Sequence, residues 1–131
     1  KAPHLYARLS HYWPAWGPPN CHSATWIEGE CTSQLSDGKA WRHWSWYATN
    51  INATACPTEF PLGTVFIIPA FNNRQYTCVD RGGAINFLPD DRNSFFLDLL
   101  TSEQPYVHGG EVVRDKYSPA GSYLVEVFIK Y

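Results

Sequence analysis

Between residues 62 and 80 the chain reads as two β-strands folded back on each other, and strong helix signals are nearly absent on either side. "LGTVFIIPAF" is apolar and rich in β-branched residues, the pattern of a buried strand. "NNRQ" is a turn, and "YTCVD" is the returning strand. Gly82-Gly83 then breaks the run and permits backbone angles that other residues avoid. "SFFLDLL" is a short apolar element that suits a strand or a helical turn. "SYLVEVFIKY" alternates well enough to be a closing strand. Upstream, "HLYARLSHYW" reads as a strand that leads into a long irregular excursion. Pro14, Pro18 and Pro19 exclude a regular helix there. "KAWRHWSWYAT", with aromatics at 41, 44, 46 and 47, leaves strand and short helix both open. A mostly β fold follows. A small closed barrel accommodates strands this short without leaving edges.

With 131 residues the chain is long enough for one domain with a real core, spanning 1–131, and short for two. No internal repeat or low-complexity linker interrupts it. The net charge is -2, with acids and bases scattered, so there is no electrostatic footprint for nucleic acid or an anionic membrane. No apolar run is long enough to span a membrane. The absence of methionine suggests a start at a processing site or an imposed boundary, with any signal peptide already removed. Four cysteines fit a secreted protein with two disulfides. Cys21, Cys31, Cys56 and Cys78 contain no CxxC pair, and His11, His22 and His43 form no metal-ligand spacing. Neither a metal nor a cofactor is expected. "NAT" at Asn52 is a glycosylation acceptor pattern.

Six Trp, eight Tyr and seven Phe are many for this length. Large side chains can fill a small core. Aromatic faces can also stack on the apolar C–H faces of pyranosides. Trp13, Trp16, Trp26, Trp41, Trp44 and Trp46 are candidates for both roles. Trp13 and Trp16, in a Pro/Gly-rich segment, are the preferred sugar-stacking pair.

Two aspartates stand in apolar surroundings. Asp98 is flanked by Phe95, Phe96, Leu97, Leu99 and Leu100. An ordinary aspartate is ionised at neutral pH and cannot donate a proton. Burial and a second carboxylate close by both raise its pKa. If Asp80 and Asp98 converge, they form an unequal pair with one member kept protonated. The alternative for Asp98 is a structural role, capping a turn or accepting backbone N–H bonds. Arg81 either pairs with Asp80 and lowers its pKa or points to solvent. Gly82-Gly83 either make a tight crossing that only glycine allows or let backbone N–H groups approach a substrate. Asp90 and Asp91 read as solvated loop charges. Cys78, two residues before Asp80, is expected on the same strand face.

The string "FPLGTVFIIPAF-NNRQYTCVDRGGAI-…-FFLDLL-…-SYLVEVFIKY" resembles the 3D domain, a six-stranded double-psi β-barrel named for its three aspartates. The match covers about residues 54 to 131. "ARLSHYW" corresponds to the first strand, and "CTSQLSDGKAW" lies near a small-residue loop of the family. The resemblance implies long N-terminal loops, few short helices, and kinship with lytic transglycosylases of the MltA type. More distantly the barrel is similar to family 45 endoglucanases and expansins. It implies a secreted, monomeric protein that acts on or binds β-1,4-linked wall polysaccharide. Asp98 matches the catalytic acid and Asp80 its partner aspartate. "FLPDDRNS" lengthens the loop between them. Cys56 stands where a third aspartate is expected. Of the three possible pairings, that favours Cys56–Cys78, leaving Cys21–Cys31 to pin the N-terminal loop. "HYWPAW" parallels a Tyr-Trp pair that precedes the hydrolytic base of the endoglucanases. Tyr12 and Trp13 are present, and Pro14 stands in the base's place. The implied activity is therefore peptidoglycan lysis without water, with Tyr12, Trp13, Trp16, Gly82 and Gly83 at the substrate. A family 45-like hydrolase would need another base, such as Asp37. An expansin-like module would bind without turnover.

Overall fold

The hairpin read at 62–80 is present, and it forms one side of a closed barrel. A computed structural model describes residues 4–103, 106–108, 111–113 and 124–130. Six strands make the barrel: β1 (Leu5–Tyr12), β2 (Ala53–Ala55), β3 (Val65–Ile68), β4 (Arg74–Asp80), β5 (Asp91–Leu100) and β6 (Leu124–Lys130). Their order around the ring is β1-β6-β3-β4-β2-β5, and β5 returns to β1. β1 runs parallel to β5 and β2 parallel to β4, while the other neighbours are antiparallel.

This order contains a hidden symmetry. Exchanging β1, β2 and β3 for β4, β5 and β6 in turn leaves every pairing and its direction unchanged. The first strand of each half lies parallel to the second strand of the other. Two three-stranded halves are thus interlocked, the double-psi arrangement anticipated from sequence. Closure leaves no free barrel edge.

Local chemistry explains the boundaries. Asn72 and Asn73 both take left-handed backbone angles, φ 57 and 59, which asparagine tolerates better than most residues. They follow a single 3-10 turn at Pro69–Phe71, so the connection spans 69–73, and Arg74 and Gln75 already belong to β4. "SFFLDLL" is fully extended within the ten-residue β5. The inserted "FLPDDRNS" is a hairpin: Phe87–Leu88 pairs back on Asp91 and Phe95. "KAWRHWSWYAT" is both a strand and a helix. Trp41–His43 is a strand and α1 covers Trp44–Asn50. The change comes at His43, whose Nδ1 accepts the Ser45 N–H at 3.2 Å and caps the helix. The closing strand holds Leu124–Lys130; Ser122, Tyr123 and Tyr131 of that segment lie outside the described residues.

Two apolar clusters hold the molecule together. Inside the barrel, Ala7, Leu9, Phe66, Ile68, Phe95, Leu97, Leu99 and Val127 surround the Cys56–Cys78 disulfide. Period-two alternation on β5 sends Phe95, Leu97 and Leu99 inward and leaves Asp98 on the outer side. Each such fully buried side chain contributes about 1.5–3 kcal/mol. The second cluster lies between the barrel wall and the N-terminal excursion. Tyr12, Val79, Ala55 and Leu100 of the barrel meet Leu35, Trp44, Tyr47 and the Cys21–Cys31 disulfide. Both disulfides are the expected ones, and none of the cysteines is free. Among the described residues no helix is long and apolar enough to cross a membrane.

Candidate active site

The strand register places the two aspartates in one row. Ser10 on β1 is opposite Asp98 on β5, Asp98 is opposite Ala55 on β2, and Ala55 is opposite Asp80 on β4. Neighbouring strands are about 4.8 Å apart, so the aspartate backbones are separated by roughly 10 Å. Between them in the register stands Ala55, whose side chain is a single methyl group. A larger residue there would wall one carboxyl off from the other.

A bulge makes this row possible. Thr54 faces Cys78 and Ala55 faces Asp80, so Val79 is an extra residue on β4. Simple alternation would put Cys78 and Asp80 on one face, as expected from sequence. The bulge instead leaves Cys78 in the barrel core and turns Asp80 to the cleft.

Each carboxyl has defined partners. Tyr12 donates its phenol O–H to Asp80 Oδ2 at 2.8 Å, and the Arg81 backbone N–H donates to Asp80 Oδ1 at 2.8 Å. Ser10 donates its hydroxyl to Asp98 Oδ1 at 2.8 Å. Thr54 donates to the Asp98 carbonyl oxygen at 3.1 Å, fixing the backbone of β5 at that point. Both acids line a cleft of about 400 Å³ where the excursion lies against the barrel. The excursion contributes Pro14, Asn20, His22, Gln34 and Trp44 to it, and the loop after β4 contributes Arg81, Gly82 and Gly83.

Burial pushes the Asp80 carboxyl above the ordinary aspartate range. The Tyr12 hydroxyl, the Arg81 N–H and the Arg81 and His22 charges pull it down by less. Of the two alternatives for Arg81, its charge does pull Asp80 down, but burial outweighs it. The guanidinium is also neither paired with the carboxylate nor free in solvent: it donates to the carbonyls of Cys56 and Pro57. Tyr12 is itself held far above the ordinary tyrosine value, first by burial, then by the Asp80 charge and hydrogen bond, then by Asp98. It therefore remains a phenol and a fixed donor.

A pH dependence follows. An acid whose folded pKa is raised favours folding at low pH, and that contribution is lost as pH rises from the ordinary aspartate value through the elevated one. Tyr12→Phe removes a donor that stabilises the charged form. Asp80 in that variant should titrate higher still and the fall in stability should deepen. NMR titration of the Asp80 carboxyl carbon, with denaturant unfolding across the same pH range, measures both. An unchanged Asp80 titration would show that the Tyr12 bond is not made in solution.

The remaining sequence candidates separate clearly. Trp13 and Trp16 pack edge to face on each other, 5.9 Å between ring centroids, and neither lines the cleft. The Trp13 Nε1 is buried without a hydrogen-bond partner. The cleft tryptophan is Trp44, whose Nε1 donates to the Cys31 carbonyl at 3.1 Å. Tyr12 lines the cleft, but its hydroxyl is committed to Asp80. Gly82 and Gly83 do line it, though neither has the positive φ that a glycine-only crossing requires. A Cβ on Gly82 would come within 2.8 Å of Ile85 Cγ1, whereas one on Gly83 would meet nothing within 4 Å. Gly83 thus leaves the rim open beside Asp80.

Asp37 is turned into its own loop. Its Oδ1 accepts the Lys39 and Ala40 N–H groups at 3.0 and 3.2 Å, and it does not line the cleft. Slight burial opposes ionisation, but these bonds outweigh it and hold the carboxyl below the ordinary value. Asp91 is likewise held low, by Ser94 Oγ at 2.6 Å and the Asn93 N–H, at the exposed start of β5. Asp90 is exposed, as is Asn52 of the "NAT" pattern. Asn20, His22 and Gln34 were not anticipated as cleft residues. Their signal was adjacency to Cys21 and Cys31, whose bridge folds them over the barrel. Among the described residues no three His, Cys, Asp or Glu side chains converge as a metal site.

Compared with known proteins, the chain matches no family model, no curated protein and no solved structure.

Proposed function

We propose that this is a secreted enzyme that cleaves β-1,4-linked cell-wall glycan by lytic transglycosylation, with Asp98 as acid and base. The observation that carries the reading is the row Asp98–Ala55–Asp80: two aspartates from separate strands on one cleft, with only the small Ala55 between them in the register. Asp80 has donors on both oxygens, which suits a carboxylate held in place. Asp98 is the acid. It protonates the bridging oxygen as the bond from that oxygen to C1 breaks. The substrate's own C6 hydroxyl then attacks C1, and its proton passes to the Asp98 carboxylate. The product is a 1,6-anhydro sugar, the acid is regenerated, and no water is consumed. Once ionised above its raised pKa, Asp80 supplies the negative charge that favours the cation-like C1.

Pro14 supports lysis over hydrolysis. It is buried on the cleft wall directly after Trp13, and its ring cannot take a proton from water. Among the described cleft residues Asp80 and Asp98 are the only carboxylates. The two disulfides support an oxidising compartment.

Digestion of purified peptidoglycan and of cellulose, with mass spectrometry of the soluble products, tests the reading. Anhydro-muropeptides are expected. Reducing oligosaccharides carrying one added water would make it a hydrolase with Asp80 as the base. Binding without soluble product would make it a non-cleaving wall-binding module.

A further inference from the structure

We infer that Trp41 forms a distal sugar-stacking subsite, so that the cleft takes an extended β-1,4-linked pyranoside chain. This rests on the glycan reading above and extends it to a residue outside the cleft. Trp41 is 68% exposed, the most exposed large apolar side chain among the described residues. Among the described residues no ring or cation stacks on it. The other five tryptophans each have a neighbour: Trp13 and Trp16 meet edge to face, Trp26 packs against the second apolar cluster, Trp44 is buried in it, and the Arg42 guanidinium lies 4.1 Å from the Trp46 ring, although Trp16 and Trp46 are also exposed, at 44% and 39%.

The strand register connects Trp41 to the cleft. Gln34–Ser36 pairs antiparallel with Trp41–His43: Gln34 opposite His43, Leu35 opposite Arg42, Ser36 opposite Trp41. Gln34 and Trp41 are therefore diagonal neighbours on one face of the ribbon, about 7–8 Å apart, within reach of an aromatic side chain. Gln34 lines the cleft. A chain of sugars leaving the carboxylates past Gln34 meets the Trp41 ring next.

The backbone that carries the ring is also fixed in advance. Asp37 caps the reverse turn before it through the Lys39 and Ala40 N–H groups. The Tyr47 hydroxyl donates to the Ala40 carbonyl, immediately before Trp41. Gly38 packs its backbone against Leu62, where an added Cβ would be 2.7 Å from the carbonyl oxygen. An exposed aromatic on a turn fixed at three points loses little entropy on binding.

The test measures affinity against chain length. Cello-oligosaccharides and β-1,4-linked N-acetylglucosamine oligomers of about two to six rings are titrated calorimetrically into the full chain carrying Asp98→Asn, so that no ligand is consumed. Trp41→Ala and Trp41→Phe are compared on that background, with thermal melts to confirm folding. Affinity should rise with length in the parent. Trp41→Ala should remove that rise, costing about five- to tenfold for the longest oligomers, and Trp41→Phe should restore part of it. The series with the larger length effect identifies the glycan. Equal length dependence in the parent and Trp41→Ala would overturn the subsite alone. No binding by the parent at any length in either series would overturn both the subsite and the glycan reading.

Discussion

Asp98→Asn is expected to lower glycan cleavage by about a thousandfold while leaving the protein folded. General acid catalysis contributes about 10²–10⁴, and an amide cannot give up its proton to a leaving oxygen. The change is nearly isosteric. The carbonyl oxygen of the introduced amide can still accept the Ser10 hydroxyl, and the Thr54 bond is to the backbone and is retained. The melting temperature should therefore move little, separating chemistry from stability. Asp80→Asn should cost less in rate and should shift the acidic limb of the pH–rate profile, because it removes a charge from the site rather than the proton donor. The comparison is informative because burial raises Asp80 above the ordinary range. If Asp80→Asn proved the more damaging change and Asp98→Asn kept most of its rate, the roles would be exchanged. Retained cleavage in both variants would remove the row from the mechanism.

The parts of this molecule that were legible in sequence obey local rules. β3, its asparagine turn and β4 were readable because β-branched residues, Asn72-Asn73 and period-two alternation all act within a few residues. The two aspartates stood out because a charged side chain in an apolar run demands an explanation. What alternation could not reveal was the extra residue at Val79. One bulge reverses the facing of everything after it, so Cys78 and Asp80 parted. Trp13 and Trp16 lie in the segment that looks most like an open loop, yet they pack edge to face on each other, and the tryptophan lining the cleft is Trp44. Which tryptophan reaches the cleft depends on how the excursion folds back onto the barrel, and composition does not reveal that. Of the two readings of Gly82-Gly83, the crossing that only glycine allows is not what the backbone shows: neither has a positive φ, both line the cleft, and only at Gly82 would a side chain meet a close neighbour, Ile85.

Among the described residues Gly17, Gly29, Gly38 and Gly63 have the positive φ that needs glycine's backbone freedom, and Gly63→Ala should destabilise the protein by about 4 kcal/mol. Gly63 has φ +95, a region where an L side chain clashes with its own backbone at about 1–2 kcal/mol. A methyl there would also overlap the Asp37 carbonyl oxygen, and backbone does not yield as a side-chain tip can. Relieving the overlap costs about another 1–3 kcal/mol, as overpacking does. Gly63 cannot simply withdraw. Its N–H donates to the Cys78 carbonyl at 2.8 Å, and the Cys78 N–H returns to Thr64 at 2.8 Å, tying "PLGT" to the disulfide strand. The displaced element would be the Ser36–Gly38 turn, which anchors the ribbon bearing Gln34 and Trp41. The same substitution should therefore weaken binding of long oligosaccharides more than short ones in whatever fraction remains folded. Gly83→Ala is the matched control: ordinary φ, nothing within 4 Å, and an expected change within about 0.5 kcal/mol. Denaturant unfolding of the two variants side by side decides the matter. A Gly63→Ala midpoint close to that of Gly83→Ala would mean that the 36–38 turn and the "PLGT" loop do not pack backbone to backbone.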